Sequence, residues 1–188
     1  VYSVISEIAI DESNTTATEI YAAGLSQIIR TTDNFATANT VLGLGNNGVN
    51  YTDVVVSPTG VVYAAIATSD NNGTSAQEGV FMSADGISWT NIDPPTGLPS
   101  TYNRAELALD PNDENTLYLI GGSQVGTVVN DFLLRYNRTT DTWTDLSGNM
   151  DSSSDIGDGH NFQQGYNLYV KVHPAQSNTV FIGGTNLL

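Results

Sequence analysis

Residues 79–93 read GVFMSADGISWTNID. Val80, Phe81 and Met82 form a short apolar run, Ser83-Ala84-Asp85-Gly86 has turn composition, and Trp89 opens a second β-prone run. Asp followed by Gly between two such runs is a strong local hairpin signal, because glycine tolerates the positive φ that the turn needs. Asp85 is suited to accept hydrogen bonds from backbone N–H groups of its own turn. Trp89 is large enough to anchor one sheet against the next.

With this hairpin taken as a unit, the chain repeats one pattern four times. The first pass runs EIAID (7–11), EIYAAG (19–24), QIIRTTD (27–33) and TVL (40–42). The second runs DVVVSP (53–58), VVYAA (61–65) and the hairpin of 79–93. The third runs ELALDP (106–111), TLYLIGG (116–122), FLLRY (132–136) and TWTDL (142–146), and the fourth YVKVHP (169–174) and TVFIGG (179–184). Each full pass is therefore four strands, A to D, with an aromatic in strand B at Tyr21, Tyr63, Tyr118 and Phe181. Helical periodicity is nearly absent, and the apolar runs are short, β-branched and bounded by turn residues. Repeated groups of four antiparallel strands predict an all-β fold, a β-propeller built from four-stranded blades. A β-sandwich is the alternative, but it does not demand the same landmarks in the same order. About three and a half blades are expected: 5–46, 51–93, 104–147, and an incomplete fourth over 166–188. The fourth pass ends before a strand C, so the rest of a ring is expected from further sequence or another chain.

Composition excludes several classes of function. The formal net charge is −15, from 20 acidic residues against 5 Lys and Arg. A nucleic-acid interface needs clustered cations to replace counterions, and an anionic membrane surface is disfavoured for the same reason. No cysteine is present, which removes disulfides, thiolate metal sites and a cysteine nucleophile. No run is long enough for a transmembrane helix. The first residues, VYSVISEIAI, read as a strand rather than a signal peptide, so a mature or excised piece is expected.

Ser83-x-Asp85-Gly86-x-Ser88-Trp89 resembles the Asp-box turn, Ser-x-Asp-x-Gly-x-x-Trp, of sialidase-type (BNR) propellers, one residue short between Asp and Trp. Arg30-Thr31-Thr32-Asp33 resembles the start of another, with Phe35 where glycine is expected. The run from Leu134 to Trp143 is similar to a kelch-type hairpin. LDPN (109–112) to Gly121-Gly122, and Val172-His173-Pro174 to Gly183-Gly184, resemble the A–B hairpins of sortilin-like and xyloglucanase-like bacterial propellers. These likenesses cover almost the whole chain. They imply a secreted or cell-surface bacterial protein whose Asp-box residues, Asp33, Ser83, Asp85, Trp89 and Trp143, are fold staples.

Function is expected on the B–C and D–A connections, 69–78, 94–103, 123–130 and 147–165, since a rigid scaffold presents such loops. Tyr102, Phe162 and Tyr166, with Gln163, His160 and the cation Arg104, are the candidate binding residues for a neutral glycan or a peptide. Asp151, Asp155 and Asp158 lie among Ser and Gly. They are a candidate Ca²⁺ site, with a solvated acidic loop as the alternative. His173 is expected in a turn. The resemblance to glycosidases would require two facing carboxylates, for which Asp53 and Glu106, both at the starts of A strands, are the candidates. The favoured expectation is a non-catalytic glycan- or protein-binding or scaffolding module. A xyloglucanase- or sialidase-like glycoside hydrolase fragment is the alternative, and a purely structural spacer would leave the long loops without a role.

Overall fold

A computed structural model describes residues 4–43, 51–67, 77–125, 128–150, 162 and 167–184. Among these, every regular element except one short 3-10 turn (Ser147–Asn149) is a strand. The chain divides into two compact units, Val1–Asp93 and Pro94–Leu188.

In the first unit, β1 (Ile5–Asp11), β2 (Glu19–Gly24), β3 (Gln27–Thr31) and β4 (Asn39–Gly43) form one antiparallel sheet in sequence order. A second sheet follows, with β5 (Thr52–Val56), β6 (Val62–Ile66), β7 (Gly79–Ser83) and β8 (Thr90–Asn91). Strands such as Val62-Tyr63-Ala64-Ala65-Ile66 carry apolar side chains on both faces and are buried throughout. Tyr21, Ala23, Ile28 and Leu42 of the first sheet pack on Val54, Val62, Ala64, Ile66 and Phe81 of the second. Each large aliphatic or aromatic buried there contributes about 1.5–3 kcal/mol. Ser6 Oγ donates to the Thr52 carbonyl at 2.6 Å, and Thr52 Oγ1 donates to the Gly24 carbonyl, so β5 is joined by polar contacts to both β1 and β2.

The second unit repeats the plan. β9 (Arg104–Asp110), β10 (Asp113–Val125), β11 (Val128–Asn137) and β12 (Thr142–Asp145) form a four-stranded antiparallel sheet, and β13 (Tyr169–His173) pairs with β14 (Gln176–Gly183). Ala108, Tyr118, Ile120 and Leu133 pack on Val170, Val172 and Ile182. Tyr118 Oη also donates to the Ser177 carbonyl at 2.9 Å. The fold is thus all-β, with sequence-ordered antiparallel sheets packed face to face in a propeller-like manner within each unit.

The structure corrects two details. The expected loop over 123–130 is mostly ladder, since β10 and β11 pair as far as Val125↔Val128. Trp89 does not open the second strand of its hairpin, which begins at Thr90. Asp85 takes the N–H groups of Ile87 and Ser88 at 2.8 and 2.6 Å, so those residues serve the turn rather than the ladder.

Candidate functional site

The turns that resemble Asp boxes are closed by their own carboxylates. Asp85 Oδ1 also accepts from Ser83 Oγ at 3.1 Å, and the Ser88 and Ile87 N–H groups hold its carboxyl well below the usual range. In the first sheet, Asp33 accepts from the Thr37 hydroxyl (2.6 Å) and N–H (2.8 Å) and from Thr31 Oγ1 (2.9 Å), which lowers it likewise. Phe35 adopts φ 65°, a left-handed conformation normally left to glycine. Trp89 and Trp143 are partly buried: Trp89 packs on the core of the first unit, and Trp143 lies 5.0 Å from Tyr136, ring to ring. His173 ends β13, where its Nδ1 accepts the Ala175 N–H at 3.0 Å. Asp11 and Asp110 do the same for Ser13 and Asn112.

Gly86 is held closely from outside its turn. A side chain there would meet the Tyr21 hydroxyl, and its φ of 68° is itself unfavourable to L-residues. Tyr21 Oη donates to Glu19 Oε1 at 2.5 Å, and Arg30 Nε donates to the same oxygen at 2.6 Å. Asn14 Nδ2 reaches the other oxygen at 2.7 Å. Burial alone would raise Glu19, but donation from Arg30, Tyr21 and Asn14 holds it below its ordinary value. Burial, then the Glu19 carboxylate, pushes the Tyr21 hydroxyl up. Tyr21, Arg30 and Asn14 thus all donate to the Glu19 carboxylate, which is a structural task.

A different arrangement occurs at one end of the third sheet. Gly122 pairs with Arg104 on one side and Asp131 on the other. Directly paired residues share a face, so Arg104 and Asp131 project from the face that packs over β13–β14. Glu106, two residues along β9, projects from it too. Arg104 and Glu106 form an ion pair. The missing side chain of Gly122 leaves room for the Asp131 carboxyl, whose Oδ1 lies 2.5 Å from where a Cβ would stand, while Phe162 Cδ2 lies 3.4 Å from the same point. Among the described residues no group hydrogen-bonds the Asp131 carboxyl. Burial pushes it up to about 6. A carboxyl of raised pKa on the same sheet face as an ion-paired carboxylate can supply a proton near neutrality while the second group stays charged.

The expected site residues are only partly brought together. Arg104 pairs with this glycine and Phe162 lies against it, while Glu106, opposite Ile120, joins them through its ion pair with Arg104. Tyr102 and Phe162 are buried: Tyr102 stands edge-on to Phe132 at 5.6 Å, and Phe162 joins the packing of Leu168 and Val170. Their rings fill the sheet packing and do not present a stacking surface to solvent. Asp53 is buried in the first unit, with Oδ1 accepting its own Val54 N–H at 2.9 Å. Asp53 and Glu106 hold the same register position in their sheets, each pairing two residues beyond the strand-B tyrosine, at Ala65 and Ile120. His160, Gln163, Tyr166, Asp151, Asp155 and Asp158 lie outside the described residues. Among the described residues no group of His, Asp or Glu has the arrangement of a metal site. Asp131 was not singled out by the sequence. The signal it carries is an acid on the core-facing parity of a strand, opposite the second glycine of Ile120-Gly121-Gly122.

Such stacked, sequence-ordered sheets define an all-β protein of propeller-like architecture. The chain is similar in structure to a GH74 enzyme of Niastella koreensis, with a TM-score of 0.69 over 97% of this chain at 20% sequence identity. It spans 28% of that enzyme's chain. No family model and no curated protein sequence matches it. Among the described residues no helix is long and apolar enough to cross a membrane.

Proposed function

We propose that this chain is a segment of a carbohydrate-active propeller of the glycoside hydrolase type, with its working groups at the Arg104–Gly122–Asp131 row. The observation that carries the reading is two unlike carboxyls on one face of one sheet: Asp131, opposite Gly122 on β11 and pushed up to about 6 by burial, and Glu106 on β9, ion-paired with Arg104. The fold likeness to a GH74 enzyme supports the same chemistry, although fold by itself does not determine reaction. Glycoside cleavage needs these two roles. Asp131 gives its proton to the leaving glycosidic oxygen as the bond to the anomeric carbon breaks. Water completes that carbon, and Glu106 takes the proton that the water loses. Polysaccharide of this kind is met outside the cell, and secretion is part of the proposal.

The test is release of reducing ends from xyloglucan and other β-glucans by the full chain, together with Asp131→Asn and Glu106→Gln. The expected result is activity that declines as pH rises through about 6, where Asp131 loses its proton, and that falls at least about a hundredfold in either variant. Glycan binding without cleavage, unchanged in both variants, would leave a non-catalytic module and overturn the assignment of these residues. Absence of both binding and cleavage would overturn the carbohydrate reading itself.

A further inference from the structure

The sheets repeat in register, and the repeat identifies two faces that are built to be covered. Tyr21 of β2 pairs with Ala9, Tyr118 of β10 with Ala108, and Phe181 of β14 with Lys171, so the three aromatics hold one position. Tyr21 is buried against the second sheet and Tyr118 against the fourth. Phe181 is 42% exposed, and Tyr169, on the same face of β13, is 55% exposed. The opposite faces follow the same rule. Ile8 pairs with Ala22, Val54 with Ala64 and Val170 with Ile182, in each case one residue beyond the strand-B aromatic. Val54 is buried by the first sheet and Val170 by the third. Ile8 and Ile10 are 54% and 56% exposed.

Single exposed apolar residues are ordinary. Here, however, the exposed residues on β1 and on β13–β14 are register equivalents of two surfaces that already pack on each other inside each unit. The Tyr21 side meets the Val54 side, and the Tyr118 side meets the Val170 side. A second copy of the chain offers the matching surface for each. Repeat proteins bury their faces by stacking neighbours in this way, and two different patches that fit each other give a head-to-tail contact.

We propose that the Ile8–Ile10 face of β1 in one copy docks on the Tyr169–Phe181 face of β13–β14 in another. The proposal does not depend on the carbohydrate reading. The test is sedimentation velocity and light scattering of the full chain from micromolar to near-millimolar concentration, with Ile10→Lys and Phe181→Lys, each checked for native circular dichroism. Wild type is expected to associate beyond the 20.0 kDa chain mass as concentration rises, and each variant alone to remain at that mass. An equimolar mixture of the two variants is expected to form a species of two copies and no larger, since it retains one intact head and one intact tail. Wild type at single-chain mass throughout would overturn the proposal and leave these faces to some other sheet. Association by either variant as strong as wild type, or failure of the mixture to pair, would also overturn it.

Discussion

Gly86→Ala tests how a turn of one sheet is locked to the next. The residue has φ 68°, and a Cβ there would collide with the Tyr21 hydroxyl. A left-handed conformation costs an L-residue about 1–2 kcal/mol, and over-packing adds about 1–3 kcal/mol. Alanine regains about 0.5–1 kcal/mol through a less mobile unfolded chain. The net expectation is a loss of about 2–4 kcal/mol in urea denaturation followed by tryptophan fluorescence. Tyr21→Phe removes the hydroxyl and with it the 2.5 Å hydrogen bond to Glu19. That change should cost about 1.5 kcal/mol, the low end for a bond to a charge, because Arg30 and Asn14 still hold the carboxylate. In the double variant the collision is relieved, so the combined loss should fall short of the sum by about 1–3 kcal/mol. Losses that add to within about 0.5 kcal/mol, or a Gly86→Ala cost below the left-handed penalty alone, would refute the reasoning.

Phe35→Gly removes a left-handed penalty of about 1–2 kcal/mol, but the freer unfolded glycine takes back about 0.5–1 kcal/mol. The ring, 45% exposed, gives up its buried part, so the thermal midpoint should move by no more than about 4 °C. A fall of about 8 °C or more in calorimetry would contradict this. Trp89→Ala should cost about 3–5 kcal/mol. Trp89→Phe should cost much less, since the buried Nε1–H has no hydrogen-bond partner among the described residues, and equal losses in denaturant titrations would remove that account. Stability should fall with pH on both sides of an optimum. Asp131 is raised, so the folded state binds its proton more tightly and stability declines as pH rises from about 4 to about 6. Asp131→Asn should flatten that limb and stabilise at pH 7 by about 1–2 kcal/mol, allowing for solvent access. Asp85, Asp33 and Asp145 are lowered, so the stability they contribute is present above their ordinary values and lost on further acidification. An Asp131→Asn variant whose midpoint changes between pH 4 and 6 as the wild type's does would contradict the Asp131 part.

The strand positions were legible because each strand announces itself with β-branched or aromatic runs between turn residues, and because the strand-B aromatic returns in each pass. The register equivalence of Tyr21, Tyr118 and Phe181 follows from that same signal. The extent of the β10–β11 hairpin was not legible. The stretch 123–130 has loop composition, yet Ser123, Gln124 and Val125 pair with Asn130, Val129 and Val128 as continuations of two strong strands. The fate of Tyr102 and Phe162 was hidden for a related reason. An aromatic in a polar segment reads the same whether its ring faces a ligand or folds back on the sheet, as Phe162 does beside Gly122 and Tyr102 does against Phe132. Asp131 was obscure because its chemistry comes from burial and from the empty position opposite it, and neither is a property of its neighbours in sequence.

The central claim is that Asp131 is a proton-bearing carboxyl at a glycan site, and a ¹³C NMR titration of its side-chain carboxyl tests it most directly. With the full chain alone the account predicts a midpoint near 6, well above an ordinary aspartate, and a displaced midpoint when a xyloglucan oligosaccharide is added. A midpoint near 4, characteristic of a solvated aspartate, or one that the oligosaccharide leaves unmoved, would contradict it.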